Sequence, residues 1–130
     1  MKPRDLLTQL SAGRIALGVA LIARPRLVTG RWLGKDAQRP AVDVLARAFG
    51  ARDAVLGAGT LAAMRGGPGA LRPWLLAGLA ADAVDLLTTH AAREHLPRAS
   101  APLIYALAGG ALVAGAANLA SGDDSPKPPA

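Results

Sequence analysis

Five ionisable residues stand where the surrounding sequence is apolar. Arg14, Arg52, Asp53, Asp82 and Asp85 lie inside Ala-, Gly- and Leu-rich stretches long enough to cross a bilayer as helices. A charge at that depth is costly, so it is expected to face a bundle interior, pair with another charge and mark a functional site. Asp82 and Asp85 are three apart, so they share one helix face and can meet a common partner. A guanidinium suits that role, because its planar fork of donors can bridge two carboxylates. Arg47 supplies a third guanidinium, and the inventory at depth becomes Arg14, Arg47 and Arg52 against Asp53, Asp82 and Asp85, a neutral set. Asp43, four before Arg47, reads as a local partner near the helix start.

Two roles follow for this set. Lipid provides no hydrophobic force between helices, so polar groups can hold them in register, and the cluster is then structural. The chemical alternative makes Asp53, Asp82 and Asp85 the catalytic groups: of two close carboxylates one holds a proton more readily, placing a neutral acid beside an ionised base. Arg14 and Arg52 would then bind the polar end of a lipophilic epoxide, lactone or similar substrate. His90 is a further binding candidate at the end of the third apolar stretch. Near a helix C-terminus it also suits the helix dipole, and only Thr88 and Thr89 stand close as nucleophiles. The chain has no cysteine and its histidines are His90 and His95, so neither a metal site nor a cofactor is expected. Gly66-Gly67-Pro68-Gly69 lacks the Lys-Ser/Thr of a phosphate-binding loop.

The elements that must position these groups are read from hydropathy broken by Gly, Pro and Arg. Four apolar segments cover residues 6–23, 41–64, 73–92 and 100–120, the third starting at Pro73 or Trp74. Between the first two, residues 27–33 form a short amphipathic stretch in which Trp32 beside Arg31 suits the headgroup level. Ser100 before Ala101-Pro102 reads as the cap and first turn of the last segment. Residues 1–120 are expected to be one membrane domain, and residues 121–130, polar and proline-rich, a disordered tail.

A mean hydropathy of +0.29 is compatible with a soluble bundle. The fourth segment argues against one, because it carries no charge and no polar face. Lys2 and Arg4 followed by residues 15–23 make a poor signal peptide, since Arg14 and Arg24-Pro25-Arg26 interrupt the pattern, so the first segment is expected to be retained. A net charge of +6 raises nucleic acid as a partner. The basic residues are scattered at segment ends and no aromatic platform interleaves with them, which points to lipid headgroups and away from nucleic acid.

Gly50 and Gly57 would let a neighbouring helix approach closely. Ala106, Gly110 and Ala114 form a small-residue ladder that suits either packing within the chain or a face for a homodimer or a partner membrane protein. The string Arg47-Ala48-Phe49-Gly50-Ala51-Arg52-Asp53-Ala54-Val55-Leu56-Gly57, followed by Asp82-Ala83-Val84-Asp85, resembles a pattern of small, uncharacterised four-helix bacterial integral membrane proteins of the domain-of-unknown-function kind. The resemblance implies a polytopic helical fold with Arg52, Asp53, Asp82 and Asp85 as typical positions, and it implies no activity. The expectation is therefore an all-α, four-helix transmembrane bundle in the cell membrane, multi-pass, with a short interfacial helix after the first span. Its expected role is that of a membrane scaffold or accessory subunit, with the membrane-embedded acid–base enzyme acting on a lipophilic small molecule as the alternative.

Overall fold

A computed structural model describes residues 2–122, which form helices joined by short turns, with no strand among the described residues. Five α-helices follow in order: α1 (Pro3–Ala23), α2 (Pro25–Leu33), α3 (Pro40–Ala63), α4 (Pro68–Ala92) and α5 (Ser100–Gly122). Helices α1 to α4 each open with proline at the first helical position, where its missing N–H costs nothing and its fixed φ already suits a helix. The short helix expected after the first segment is α2, linked to α3 by a 3₁₀ turn over Gly34–Gln38.

Two expectations about boundaries are corrected. Helix α4 starts at Pro68, not at Pro73 or Trp74. Gly67, at φ 84, makes the sharp turn that lets Pro68 begin the helix, and Pro73 is carried inside it at the loss of one backbone hydrogen bond. Ser100 does not bond its own helix with its hydroxyl. That group donates to the carbonyl of Trp32 at 2.5 Å and ties the start of α5 to the end of α2. At the other end, α5 runs on through residues 121 and 122, and the rest of the expected tail lies outside the described residues.

Helices α1 and α3 run antiparallel along a seam of small residues. A Cβ added to Gly18 would strike the backbone of Gly50 and Ala54, and one added to Gly57 would meet the carbonyl of Ser11 and the side chain of Ile15. Backbones this close gain dispersion along their length and leave no room for side chains. Helices α4 and α5 form the second close pair, with Leu79 against Gly115 and Leu86 against Gly109. Between the pairs, α3 meets α4 and α1 meets α5.

Large apolar side chains are distributed inside out. Among the described residues only Leu7, Leu21, Leu75 and Ile104 are buried, whereas Val44, Leu45, Leu87 and Val113 are 66–72% exposed and many others face outward with them. An exposed apolar surface of that extent marks a membrane or protein interaction face. Three helices, Pro3–Ala23, Pro68–His95 and Ser100–Ser121, are long and apolar enough to cross a membrane. Helix α3 falls short of that measure because Asp43, Arg47, Arg52 and Asp53 interrupt it.

Candidate functional site

Three helices deliver the charges. Helix α1 brings Arg14, α3 brings Arg52 and Asp53, and α4 brings Asp82 and Asp85 one turn apart on a common face. On α3, Ala46, Gly50, Asp53, Gly57 and Thr60 form the buried row, so Asp53 is carried inward by the same periodicity that makes the glycine seam. Arg14 donates through one terminal nitrogen to both oxygens of Asp82 at 2.5 Å, and through the other to Asp53 Oδ1 at 3.2 Å. Arg52 grips Asp85 with both terminal nitrogens, at 3.1 and 2.7 Å, and reaches Asp53 Oδ1 at 3.2 Å. Its guanidinium also lies over the Phe49 ring, 4.0 Å from the centroid, a cation–π contact.

Each arginine thus has a carboxylate of its own, Asp82 for Arg14 and Asp85 for Arg52. Asp53 sits between them with the longest contacts. Both fall on Oδ1, and none of the described hydrogen bonds ends on Oδ2. Asp53 and Asp82 are buried, and Arg14 keeps only 16% of its side chain exposed. The Nε of Arg52 and the indole Nε1 of Trp32 are buried without an acceptor among the described residues.

The neutral inventory expected from the sequence is corrected here. Arg47 is exposed and takes no part in the cluster, because it lies a residue off the buried row of α3. Asp43 pairs with Arg26 of α2, at 2.9 Å, and not with Arg47. That hydrogen bond, and then the charge of Asp43, raise the Arg26 pKa above its already high ordinary value, so Arg26 stays a cation at any working pH. The cluster therefore holds two guanidinium groups against three carboxylates, a formal charge of −1.

The cluster borders a partly open cavity of about 380 Å³ lined by residues of all five helices. Arg14, Asp53, Asp82 and Asp85 line it, and the remaining wall is mostly apolar, with leucine the commonest residue and both tryptophans, Trp32 and Trp74, present. A mostly apolar space with a few convergent polar groups is the usual form of a small-molecule site, and its volume falls within the usual range of roughly 300–1,000 Å³. The aromatic wall at one end is Trp32 tilted against Phe49, ring centroids 5.6 Å apart.

His90 is not brought to this site. It is exposed at the far end of α4, where its Nδ1 hydrogen-bonds the hydroxyl of Tyr105 on α5. Tyr105, which reads in the sequence as a membrane-interface anchor, therefore has a partner within the chain. The hydroxyl of Thr88 donates to the Val84 carbonyl at 2.7 Å, which occupies the proton a nucleophile beside His90 would give up. Among the described residues no group of three or more His, Cys, Asp or Glu side chains is arranged to hold a metal ion. Compared with protein-family models, curated proteins and solved structures, the chain matches none, so the functional reading rests on its own residues.

Proposed function

We propose that this chain is a small multi-pass protein of the cell membrane in which α1, α3, α4 and α5 cross the bilayer as a four-helix bundle and α2 lies at its surface. Its role is that of a membrane scaffold or accessory subunit for another membrane protein or a second copy. The observation that carries the reading is the pattern of ion pairs: Arg14 joins α1 to α4 and Arg52 joins α3 to α4, so the charges tie helices together. Such pairing lets α3 sit in a bilayer despite its charged residues. The outward-facing leucines and valines support the same reading, since lipid is their natural neighbour.

Exposed Ala106 and Gly110 on α5, with no neighbour within 4 Å of a Cβ at Gly110, suit a second helix at close range. Alkaline carbonate extraction tests the membrane reading: the protein stays with the membrane, and release into the soluble fraction overturns it. Co-purification in mild detergent tests the scaffold role, with Gly110→Leu expected to lose the associated helix while the chain stays folded.

One observation favours the enzymatic reading as a second possibility. The three carboxylates border an apolar cavity, which is where acid–base chemistry on a lipophilic substrate by Asp53, Asp82 and Asp85 would occur. Replacement of each by Asn with the fold intact separates the readings: an enzyme loses turnover, whereas a scaffold keeps its partner.

A further inference from the structure

The two structural ion pairs need only two of the three carboxylates. Remove Asp53 in thought, and Arg14–Asp82 and Arg52–Asp85 remain as two complete pairs of zero net charge. Asp53 is the surplus acid: 5% exposed, held by one oxygen at 3.2 Å from each arginine, its Oδ2 the end of no described hydrogen bond, and its side chain on the cavity wall. An unbalanced charge so placed is expensive unless something positive joins it. A second anion would add repulsion, which excludes phosphate and carboxylate heads from the cavity.

The rest of the cavity describes the body of the ligand. It extends along α1 from Leu7 to Leu21, about 21 Å at 1.5 Å per residue, between walls that are largely apolar and richest in leucine. At Gly78 the wall is bare, with nothing within 4 Å of a Cβ built there. Phe49 lies one helical turn before Asp53 and its ring already carries the Arg52 guanidinium, whereas Trp32, tilted against Phe49 on the cavity wall, is the aromatic side chain left to meet a ligand. Four lining residues are exposed: Gln9 and Gly13 on α1, and Leu103 and Leu107 on α5. They place the mouth between those two helices, on the side of the bundle and not at its end.

We propose that the cavity binds a lipophilic ammonium cation, its head against Asp53, its apolar body among the leucines, admitted sideways between α1 and α5. Only the sideways route from the bilayer rests on the membrane reading. The cation site itself depends on the charge imbalance and the cavity.

Both tryptophans of the chain line the cavity, so their fluorescence reports on it directly. The experiment uses the full chain in phosphatidylcholine nanodiscs, whose surface carries no net charge, with three tail-brominated quenchers: dodecylammonium, dodecanol and dodecanoate. Dodecylammonium is expected to quench saturably, at a concentration at least about tenfold below dodecanol, and dodecanoate is expected not to saturate. Asp53→Asn, which leaves both ion pairs whole, should erase the preference for ammonium while melting as the parent does. Gly78→Leu fills the cavity without touching the charges and should abolish saturable quenching by every probe. Equal quenching by the three heads, or a preference that survives in Asp53→Asn, overturns the cation assignment. Absence of saturation in the parent overturns the site altogether. Release of the protein by carbonate with saturation intact would refute the bilayer route and leave the site standing.

Discussion

Replacing Arg14 by Leu should be the most damaging single change in the cluster. Arg14 is the guanidinium that joins α1 to α4 and is the sole partner of Asp82 among the described residues. One guanidinium–carboxylate contact near 4 Å is worth roughly 4 kcal/mol at an effective dielectric constant of about 20, and desolvation offsets much of it while the pair is whole. Once Arg14 is gone, Asp82 stays buried without a partner, and the formal charge of the cluster goes from −1 to −2. The expected loss is about 3–5 kcal/mol, the usual cost of orphaning one member of a buried pair. Asp82→Leu is expected to be milder, since two arginines then face Asp53 and Asp85 at zero net charge.

The double variant Arg14→Leu/Asp82→Leu removes a charge of each sign and should cost no more than Arg14→Leu alone. The coupling is then at least as large as the cost of Asp82→Leu alone, within the roughly 0.5–3 kcal/mol found for residues in direct contact. Reversible unfolding in mixed detergent micelles, followed by far-UV circular dichroism, gives the four free energies of the cycle. As a control, Arg39→Gln breaks an exposed pair with Asp36, whose side chains are 74% and 64% exposed, and should change stability by less than about 1 kcal/mol. Additive effects below about 1 kcal/mol for both cluster variants would refute the coupled pair, and with it the claim that these charges tie the helices together.

Other perturbations act on the packing around the cluster. Gly57→Leu drives a side chain into the Ser11 carbonyl and Ile15, so it should cost at least about 1–3 kcal/mol, read in the same unfolding experiment. Gly30→Ala in α2 meets nothing within 4 Å and should stabilise by about 0.5 kcal/mol through helix propensity. Ser100→Ala leaves the Trp32 carbonyl without its donor and should cost about 1 kcal/mol, accompanied by faster hydrogen exchange at the start of α5.

The parts of the site that were legible in the sequence are those fixed by local spacing. Asp82 and Asp85 share a face because they are three apart, and Gly50 and Gly57 mark the seam because they are seven apart. The all-helical class followed from long apolar segments, but the helices begin before those segments, at Pro3, Pro25, Pro40 and Pro68, because a proline costs nothing at the first helical position and does cost a bond in the interior. Pro73 shows the limit of that rule, because Gly67-Pro68 offers a better start five residues earlier. Partner choice was less legible. Asp43 and Arg47 have the spacing of a helical pair, yet Arg26 on α2 is brought to Asp43 and presents a bidentate fork to it. The row at positions 46, 50, 53, 57 and 60 carried the signal that separates Arg47 from Asp53, since only the latter falls on it. The cavity had no local signature at all: its walls are ordinary, mostly apolar side chains from helices far apart in the chain, and a void exists only once they are packed.

The position of that void explains why the charges are where they are. Helix α1 is drawn against α3 by glycines, and α4 against α5 by Leu79 and Leu86 on glycines, so each pair is tight before the pairs meet. Large side chains then separate the pairs, and the space between them is the cavity. Arg14 and Arg52 belong to one pair of helices and Asp82 and Asp85 to the other, which makes the two ion pairs straps across the void. With the straps in place the cavity can stay open without the pairs drifting apart. Asp53 belongs to the same helix pair as the arginines, so it adds no strap of its own, and bringing it into the cluster costs a buried charge. Its bond to Arg14 stays within the α1–α3 pair that glycines already hold close, so across the void Asp53 holds nothing, and on the cation proposal it is the group that meets the ligand. On that basis Asp53→Asn should change ligand preference with little change in stability, whereas Arg14→Leu should change stability first.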